Sequence, residues 1–148
     1  MNLTTLGLFS CNISYIPLNV FDSMTNLKVL ELQNNTILSI PMKVFIFLSK
    51  LQSLALAFNN LSSLNNTHFE NLSSLEYLFL NSNQFTTFPQ SLFAYLTNLK
   101  ELYLDTNQIR YIYIYIYVKS CIHAPHAIIN FVSVAFYRFF FFATLGII

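Results

Sequence analysis

Residues 75–85 read LEYLFLNSNQF, and four other stretches of the chain repeat the same arrangement of leucine and asparagine. These begin at Leu3, Leu27, Leu51 and Leu99, so each of the five starts lies 24 residues from the next. Every stretch fits L-x-x-L-x-L-x-x-N/C-x-L, with Ile or Phe accepted at the last position. A fixed period of this length indicates a chain built from stacked copies of one structural unit.

The second half of each period is also regular. An apolar residue, usually followed by Pro, comes first; a Phe follows five residues later, and a Leu or Met three residues after that. The three columns are Ile16, Ile40, Leu64 and Phe88; Phe21, Phe45, Phe69 and Phe93; and Met24, Leu48, Leu72 and Leu96. Because so many columns recur together, we interpret the period as a structural repeat.

These motifs resemble the leucine-rich repeat family, in the 24-residue form typical of extracellular proteins such as Toll-like receptors and matrix proteoglycans. The resemblance covers residues 1–112 and contains five repeats. It implies an α/β-type repeat solenoid, a horseshoe with a concave parallel β-sheet and a mostly irregular convex side. Residues 113–148 do not follow the period and are expected to form a non-repeat hydrophobic tail.

The columns also have a direct physical interpretation. Alternate residues of a strand point to opposite faces, so both leucines of each L-x-L face one core. No repeat can bury its apolar face alone, and stacking makes that core continuous. We expect the Phe column to form an aromatic spine, ring on ring. A structural ladder of buried asparagines should pair the backbone groups of the turns; its members are Asn35, Asn59, Asn83 and Asn107, with Cys11 in the first repeat.

Side chains between the inward leucines should line the concave face. The first three strands present mostly small or polar residues there, whereas the last two combine aromatic and acidic ones. We predict a candidate concave binding patch formed by Tyr77, Phe79, Tyr103, Glu101 and Asp105, since aromatic clusters rimmed by charge are typical of protein-binding surfaces. Alternatively, these rings only cover strand edges or were covered by further repeats.

Composition and motifs argue against other functions. The net charge is +1 and charged residues make up 9% of the chain, so nothing indicates a nucleic-acid partner. No catalytic or cofactor-binding motif is present, and we predict neither an enzyme nor a cofactor. Cys121, His123 and His126 lack a fourth ligand for zinc, so we predict no metal site. His68 is expected to be solvated.

Two interpretations of the tail remain open. Residues 127–148 are mostly apolar and long enough to span a membrane, although the central Arg138 would cost about 2.5–3.5 kcal/mol. Alternatively, the stretch YIYIYIYV at 111–118 and the run Phe139–Phe142 correspond to TA-repeat and poly-T tracts, which are typical of non-coding sequence. In that case the tail from about residue 111 is intron read-through.

The expected location of the parent protein is extracellular or membrane-associated. Candidate N-glycosylation sites exceed the number that the composition predicts by chance; they are Asn2, Asn12, Asn34, Asn60, Asn65 and Asn71. This chain has no signal peptide and begins inside a repeat, so we expect it to be a fragment.

We predict a protein-protein or ligand-binding repeat module, part of an extracellular receptor or matrix-type protein. The alternatives are an intracellular repeat adaptor and a truncated or wrongly assembled gene product without independent function.

Overall fold

The structure is a computed structural model, which describes residues 2–89, 91–109 and 128–130. Six three-residue strands form one parallel sheet in chain order. They are β1 (Thr5–Gly7), β2 (Val29–Glu31), β3 (Ser53–Ala55), β4 (Tyr77–Phe79), β5 (Glu101–Tyr103) and β6 (Ile128–Asn130). The order means that each turn of the chain adds one strand beside the previous one, as a solenoid requires.

Between neighbouring strands from β1 to β5, paired residues are 24 residues apart, which is one full repeat. Leu6, Leu30, Leu54, Leu78 and Leu102 lie side by side across the sheet. This register follows from the sequence, because any slip by one residue would turn every leucine away from the core.

The sixth strand departs from that register. Glu101 lies opposite Ile128, whereas the 24-residue period would place residue 125 there. The sheet therefore continues into the tail, but the connection that precedes β6 is longer than in the repeats.

From the second repeat onward, the leucines of each L-x-L segment form the core as predicted, whereas Leu6 and Leu8 of the first repeat are half-buried against it. From β2 to β5 the strand leucine is 0% exposed, and the leucine two residues later is at most 2% exposed. Burying a leucine side chain contributes about 1.5–3 kcal/mol, and the buried leucines of the second to fifth repeats belong to a single hydrophobic cluster. The core is thus continuous along the solenoid.

The Phe column lies within this core, on the return path of the chain. All four rings are at most 2% exposed. Phe21 stacks on Phe45 with ring centroids 6.0 Å apart, and Phe69 stacks on Phe93 at 6.2 Å. Within residues 2–89 and 91–109 the return path consists of turns and bends without a helix, in agreement with the mostly irregular convex side that the resemblance implied.

Three residues after the end of each strand from β1 to β5, one residue has a left-handed backbone conformation. The five residues have φ between 53° and 56°; they are Ser10, Asn34, Phe58, Ser82 and Thr106. This conformation lets the chain turn inward toward the ladder asparagine, which comes next. Asn tolerates it well, whereas a bulky residue such as Phe58 is strained there.

The expectation that His68 is solvated is wrong. Its side chain is 6% exposed, and the Asn65 backbone N–H donates to its Nδ1 at 2.7 Å while its Nε2 lies 2.9 Å from the Ile40 carbonyl oxygen. The third repeat has Asn65 where the other complete repeats have Pro, and Pro has no N–H. His68 therefore caps a donor that exists only in this repeat, and it ties repeat 3 to repeat 2.

Several predictions about the tail lie outside the described residues. They are the YIYIYIYV stretch, most of the candidate membrane segment 127–148 and the group Cys121, His123 and His126. Among the residues that the structure does describe, no helix is both long and apolar enough to cross a bilayer.

Candidate ligand-binding surface

The outward side chains of the strands form columns that run across the concave face. The register places Gly7, Glu31, Ala55, Phe79 and Tyr103 in one column. Side chains therefore change from small or acidic at β1–β3 to aromatic at β4 and β5, and the predicted binding patch lies at the β4–β5 end.

The centre of the patch is a stacked pair of rings. Phe79 and Tyr103 have ring centroids 4.8 Å apart and planes inclined by 17°. This separation equals the spacing of neighbouring strands, so the two rings stand side by side above the sheet. Both side chains are half-buried, and Tyr77 lies on β4 in register with Glu101.

A hydrogen bond holds Tyr103 and Glu101 in place. The Tyr103 hydroxyl donates to Oε2 of Glu101 at 2.5 Å. This hydrogen bond, with a smaller contribution from desolvation, raises the pKa of Tyr103 above its ordinary value. The phenol therefore stays neutral over the physiological range, and the carboxylate is held beside the stacked rings.

The charged residues around the patch are of two kinds: Lys100 and Glu76 form a salt bridge with each other, whereas the carboxylates of Glu101 and Asp105 accept hydrogen bonds from hydroxyl groups. Lys100 and Glu76 form a salt bridge of 2.7 Å at the edge where the strands begin, and the hydrogen bond with Glu76 raises the pKa of Lys100. An exposed pair of this kind is screened by solvent and contributes little to stability. Asp105 accepts a hydrogen bond from the Thr106 hydroxyl at 3.3 Å, so the acidic rim of the patch consists of Asp105 and Glu101.

Strand β3 forms a low strip between larger neighbours. Ala55 is 9% exposed and Ala57 is 6% exposed, so residues predicted as outward-facing are shaded by the side chains beside them. On β1, a Cβ added to Gly7 would lie 3.2 Å from Oε2 of Glu31 and 3.5 Å from the Phe9 ring. The glycine thus leaves room for Glu31 and Phe9 on this side of the face.

Phe58 is an exposed aromatic residue that sequence reasoning missed. Its side chain is 57% exposed and its φ is 53°, directly after the outward positions of the third repeat. The sequence does mark this residue as unusual, because the equivalent position holds Ser, Asn or Thr in the other four repeats.

The four ladder asparagines make a repeated set of hydrogen bonds. Asn59 shows the pattern: its Nδ2 donates to the carbonyls of Leu32 and Leu56, and its Oδ1 accepts from the Ile37 N–H at 3.0 Å. Leu32 belongs to the preceding repeat and Leu56 to its own. Each Asn therefore joins two repeats, as Asn35, Asn83 and Asn107 do with their own neighbours.

Consecutive asparagines share acceptors. The Leu32 carbonyl accepts from both Asn35 and Asn59, and the Leu56 carbonyl accepts from both Asn59 and Asn83. Cys11 stands at the ladder position of the first repeat, where it is exposed, and its backbone N–H donates to Oδ1 of Asn35 at 3.0 Å.

The six candidate glycosylation asparagines are all at least partly accessible. Asn2, Asn12, Asn34 and Asn71 are exposed, whereas Asn60 and Asn65 are half-buried. They all belong to the first three repeats or to the residue before them, while the aromatic patch belongs to the fourth and fifth. Glycans at these positions would leave the fourth and fifth repeats unmodified.

The part of the chain that the structure describes contains no group of three or more His, Cys, Asp or Glu that could hold a metal ion. What the concave surface offers chemically is a set of stacked rings and carboxylates.

Comparisons with known proteins agree with this architecture. A family model described as leucine rich repeat matches residues 1–61 and 49–109. A solved leucine-rich repeat protein of Leptospira interrogans is 31% identical, with a TM-score of 0.71 over 81% of this chain. TLR13, solved in complex with ssRNA13, is 32% identical, with a TM-score of 0.72 over 82% of this chain.

The chain spans only part of these structures, corresponding to 29% of the Leptospira protein and 17% of TLR13. A search of curated protein sequences finds no significant match. The family match extends from the first repeat into the fifth, and both structures share the parallel-strand solenoid. The chain therefore belongs to the leucine-rich repeat family.

Proposed function

We propose that this chain is a ligand-binding module whose partner is a protein or peptide, and that the partner contacts the concave patch of β4 and β5. Leucine-rich repeat domains are generally protein-binding modules, which supports the class of function. The observation that carries the choice of surface is the half-buried Phe79–Tyr103 stack with Glu101 hydrogen-bonded at its edge.

The patch has the physical properties of a binding hot spot. Rings already ordered in the free protein lose little conformational entropy when a partner docks. Aromatic residues near the centre of an interface contribute most of the binding energy, especially where neighbouring residues exclude water. Tyr77 and Phe79 extend the ring surface along β4, and the carboxylates of Glu101 and Asp105 can pair with polar groups of a partner.

A protein ligand fits this surface better than a nucleic acid. The TLR13 structure contains an RNA, but affinity for nucleic acids depends on Lys and Arg that neutralise phosphates. The outward strand positions of the five repeats include Glu31, Glu101 and Asp105 and neither Lys nor Arg. Phosphates would be repelled at this face.

The same proposal assigns the chain to a larger extracellular or membrane-associated protein, of the receptor or matrix type. The accessible candidate glycosylation sites of the first three repeats support this location. Within the candidate membrane segment 127–148, Ile128–Asn130 pair with β5 in the sheet, so a membrane anchor of that protein would have to lie after Asn130. We propose no enzymatic role, because the concave surface offers rings and carboxylates without a nucleophile and base arranged together.

The test compares ligand capture by the wild-type full chain and by the double variant Tyr77→Ala, Phe79→Ala. Each chain is displayed on cells, cross-linked to extracellular proteins and analysed by quantitative mass spectrometry. The matched control is Tyr95→Ala, which removes an aromatic side chain that is 46% exposed outside the strands.

We expect the double variant to lose the wild-type partner and the control to keep it. Circular dichroism checks that both variants keep the fold. Retention of the same partner by a folded double variant would exclude this patch as the binding surface.

A further inference from the structure

Phe58 is unusual because its side chain is exposed and its backbone is strained. The ring is 57% exposed, and a φ of 53° lies in the left-handed region, which is costly for a bulky residue. The other repeats have Ser10, Asn34, Ser82 and Thr106 at the equivalent position. Neither burial nor backbone conformation therefore favours an aromatic ring here, and a strained residue of this kind points to a role outside the packing of the fold.

Asn60, a candidate glycosylation site, lies two residues after Phe58. The ladder residue Asn59 between them is 7% exposed, whereas Asn60 is half-buried and Ser62, which supplies the hydroxyl of this N-x-S motif, is exposed. The backbone N–H of Asn60 donates to the Ile37 carbonyl at 3.0 Å, which fixes the chain at this point. Two residues of chain span at most about 7 Å, so a sugar attached to Asn60 is within reach of the Phe58 ring.

Other candidate glycosylation sites differ from Asn60 in the hydrogen bonds of their side-chain amides. Nδ2 of Asn34 donates to the Ser10 hydroxyl at 2.8 Å, and Nδ2 of Asn71 donates to the Ile46 carbonyl at 3.0 Å. Among the residues that the structure describes, the Asn60 amide has no bond of this kind. A sugar on its Nδ2 therefore competes with no protein acceptor and can take an orientation over a neighbouring ring.

We propose that Phe58 is a packing platform for the first sugar, an N-acetylglucosamine, of a glycan on Asn60. One face of a sugar ring consists of C–H groups with partial positive charge, and the face of an aromatic ring carries negative potential, so the two attract each other. Their contact also removes apolar surface from water. The strain at Phe58 is then offset only in the glycosylated protein. This inference rests on the extracellular location in the proposed function, because N-glycans are added in the secretory pathway.

Leu38 provides the matched control for the platform. It is 66% exposed and follows Ile37, the residue whose carbonyl accepts from the Asn60 N–H. Its side chain offers apolar area to a sugar but no ring face. The next repeat has Ser62 at the equivalent position, so the fold accommodates Leu38→Ser.

The first experiment observes the sugar directly by NMR. The full chain is secreted with a cleavable signal and studied in detergent, with its glycans trimmed to one ¹³C-labelled N-acetylglucosamine per site. Because an aromatic ring shifts protons above its face upfield, we expect Phe58→Ser to move the Asn60 sugar resonances downfield. Leu38→Ser should leave them in place. The sugar on Asn12, which follows Ser10 in the equivalent turn, should not respond to Phe58→Ser.

The second experiment measures the coupling between Phe58 and the sugar by urea unfolding. The wild type, Phe58→Ser, Asn60→Gln and the double variant form a cycle, which is run with and without glycans. Strain relief by Phe58→Ser is common to both cycles and cancels. In the glycosylated cycle, Asn60→Gln should lower the folding equilibrium constant about two- to tenfold more when Phe58 is present, the range that contacts of an aromatic ring span. The unglycosylated cycle should show no such excess.

Asn60 sugar resonances that ignore Phe58→Ser, or equal coupling in the two cycles, would overturn the platform, and a response to Leu38→Ser alone would transfer the contact to Leu38. If mass spectrometry finds glycans at other candidate sites but none on Asn60, the platform is refuted and the extracellular location stands. If both experiments give the expected results but Tyr77→Ala with Phe79→Ala keeps its partner, the platform stands and the proposed binding patch fails.

Discussion

The asparagine ladder leads to a quantitative prediction at Asn59. Replacing Asn59 with Ala removes the acceptor of the Ile37 N–H, which belongs to a fully buried residue. It also removes the Nδ2 bonds to the carbonyls of Leu32 and Leu56. These two carbonyls keep one bond each, because Asn35 and Asn83 also donate to them. Of these three backbone groups, the Ile37 N–H is therefore the one that loses its hydrogen-bond partner entirely.

The cost follows from these contacts. An orphaned buried N–H costs about 1–3 kcal/mol, and each lost bond to a carbonyl that stays partly satisfied costs about 0.5–1 kcal/mol. We expect Asn59→Ala to lower the free energy of unfolding by about 2–5 kcal/mol. Asn107→Ala is the matched control, since Asn107 is only half-buried and should cost less.

Urea unfolding gives the change in stability, and amide hydrogen exchange shows where it arises. The Ile37 amide should lose protection in Asn59→Ala and keep it in Asn107→Ala, because repeats interact only with their neighbours. Equal costs for the two variants, or an Ile37 amide that keeps its protection, would refute the assignment of the ladder to repeat stacking.

Four other outcomes follow from single features of the structure. Phe58→Asn should raise the urea midpoint by relieving left-handed strain of about 1 kcal/mol; an unchanged midpoint argues against strain. His68→Leu should destabilise by about 1–3 kcal/mol because the Asn65 N–H and the Ile40 carbonyl lose their partner, and hydrogen exchange at the Asn65 amide should accelerate; an Asn65 amide that keeps its protection would show that this N–H is not orphaned. The raised pKa of Tyr103 contributes stability below the unfolded phenol's pKa that is lost as pH rises through the folded value; Glu101→Gln should shift the ultraviolet phenol titration to lower pH, and a titration that does not move would exclude Glu101 as the cause. On expression through the secretory pathway, glycosidase treatment should increase gel mobility, and the absence of any shift would contradict the extracellular assignment; the acceptors to replace with Gln, one at a time, are Asn2, Asn12, Asn34, Asn60, Asn65 and Asn71.

The repeat period predicted most of the fold because each column has one physical role. Leucines at fixed spacing must face one core, and a two-residue side-chain alternation then determines which residues face outward. The parallel sheet, the buried Phe column and the outward positions of Tyr77, Phe79 and Tyr103 could all be derived in this way. His68 could not, because its burial depends on one missing proline in the third repeat and on a carbonyl in the second.

The details of the candidate site depended on distances that no repeat pattern contains. The pattern places Phe79 beside Tyr103, but it does not specify that the rings stack at 4.8 Å or that Tyr103 donates to Glu101. The pattern places the small residues of the third repeat in outward positions, yet Ala55 and Ala57 are buried in the structure. Side-chain rotamers depend on contacts between repeats, which a single repeat does not encode.

The sequence by itself determined the repeat, its register and the identity of the core, because a 24-residue period allows the leucines only one continuous way to be buried. Tertiary structure decided features that are specific to single repeats: the left-handed Phe58, the buried His68 and the stacked ring pair of Phe79 and Tyr103. Burial of an apolar column is favourable for every repeat alike, whereas each of these features arises where one repeat differs from its neighbour. Their energies depend on which side chains the stacking brings together.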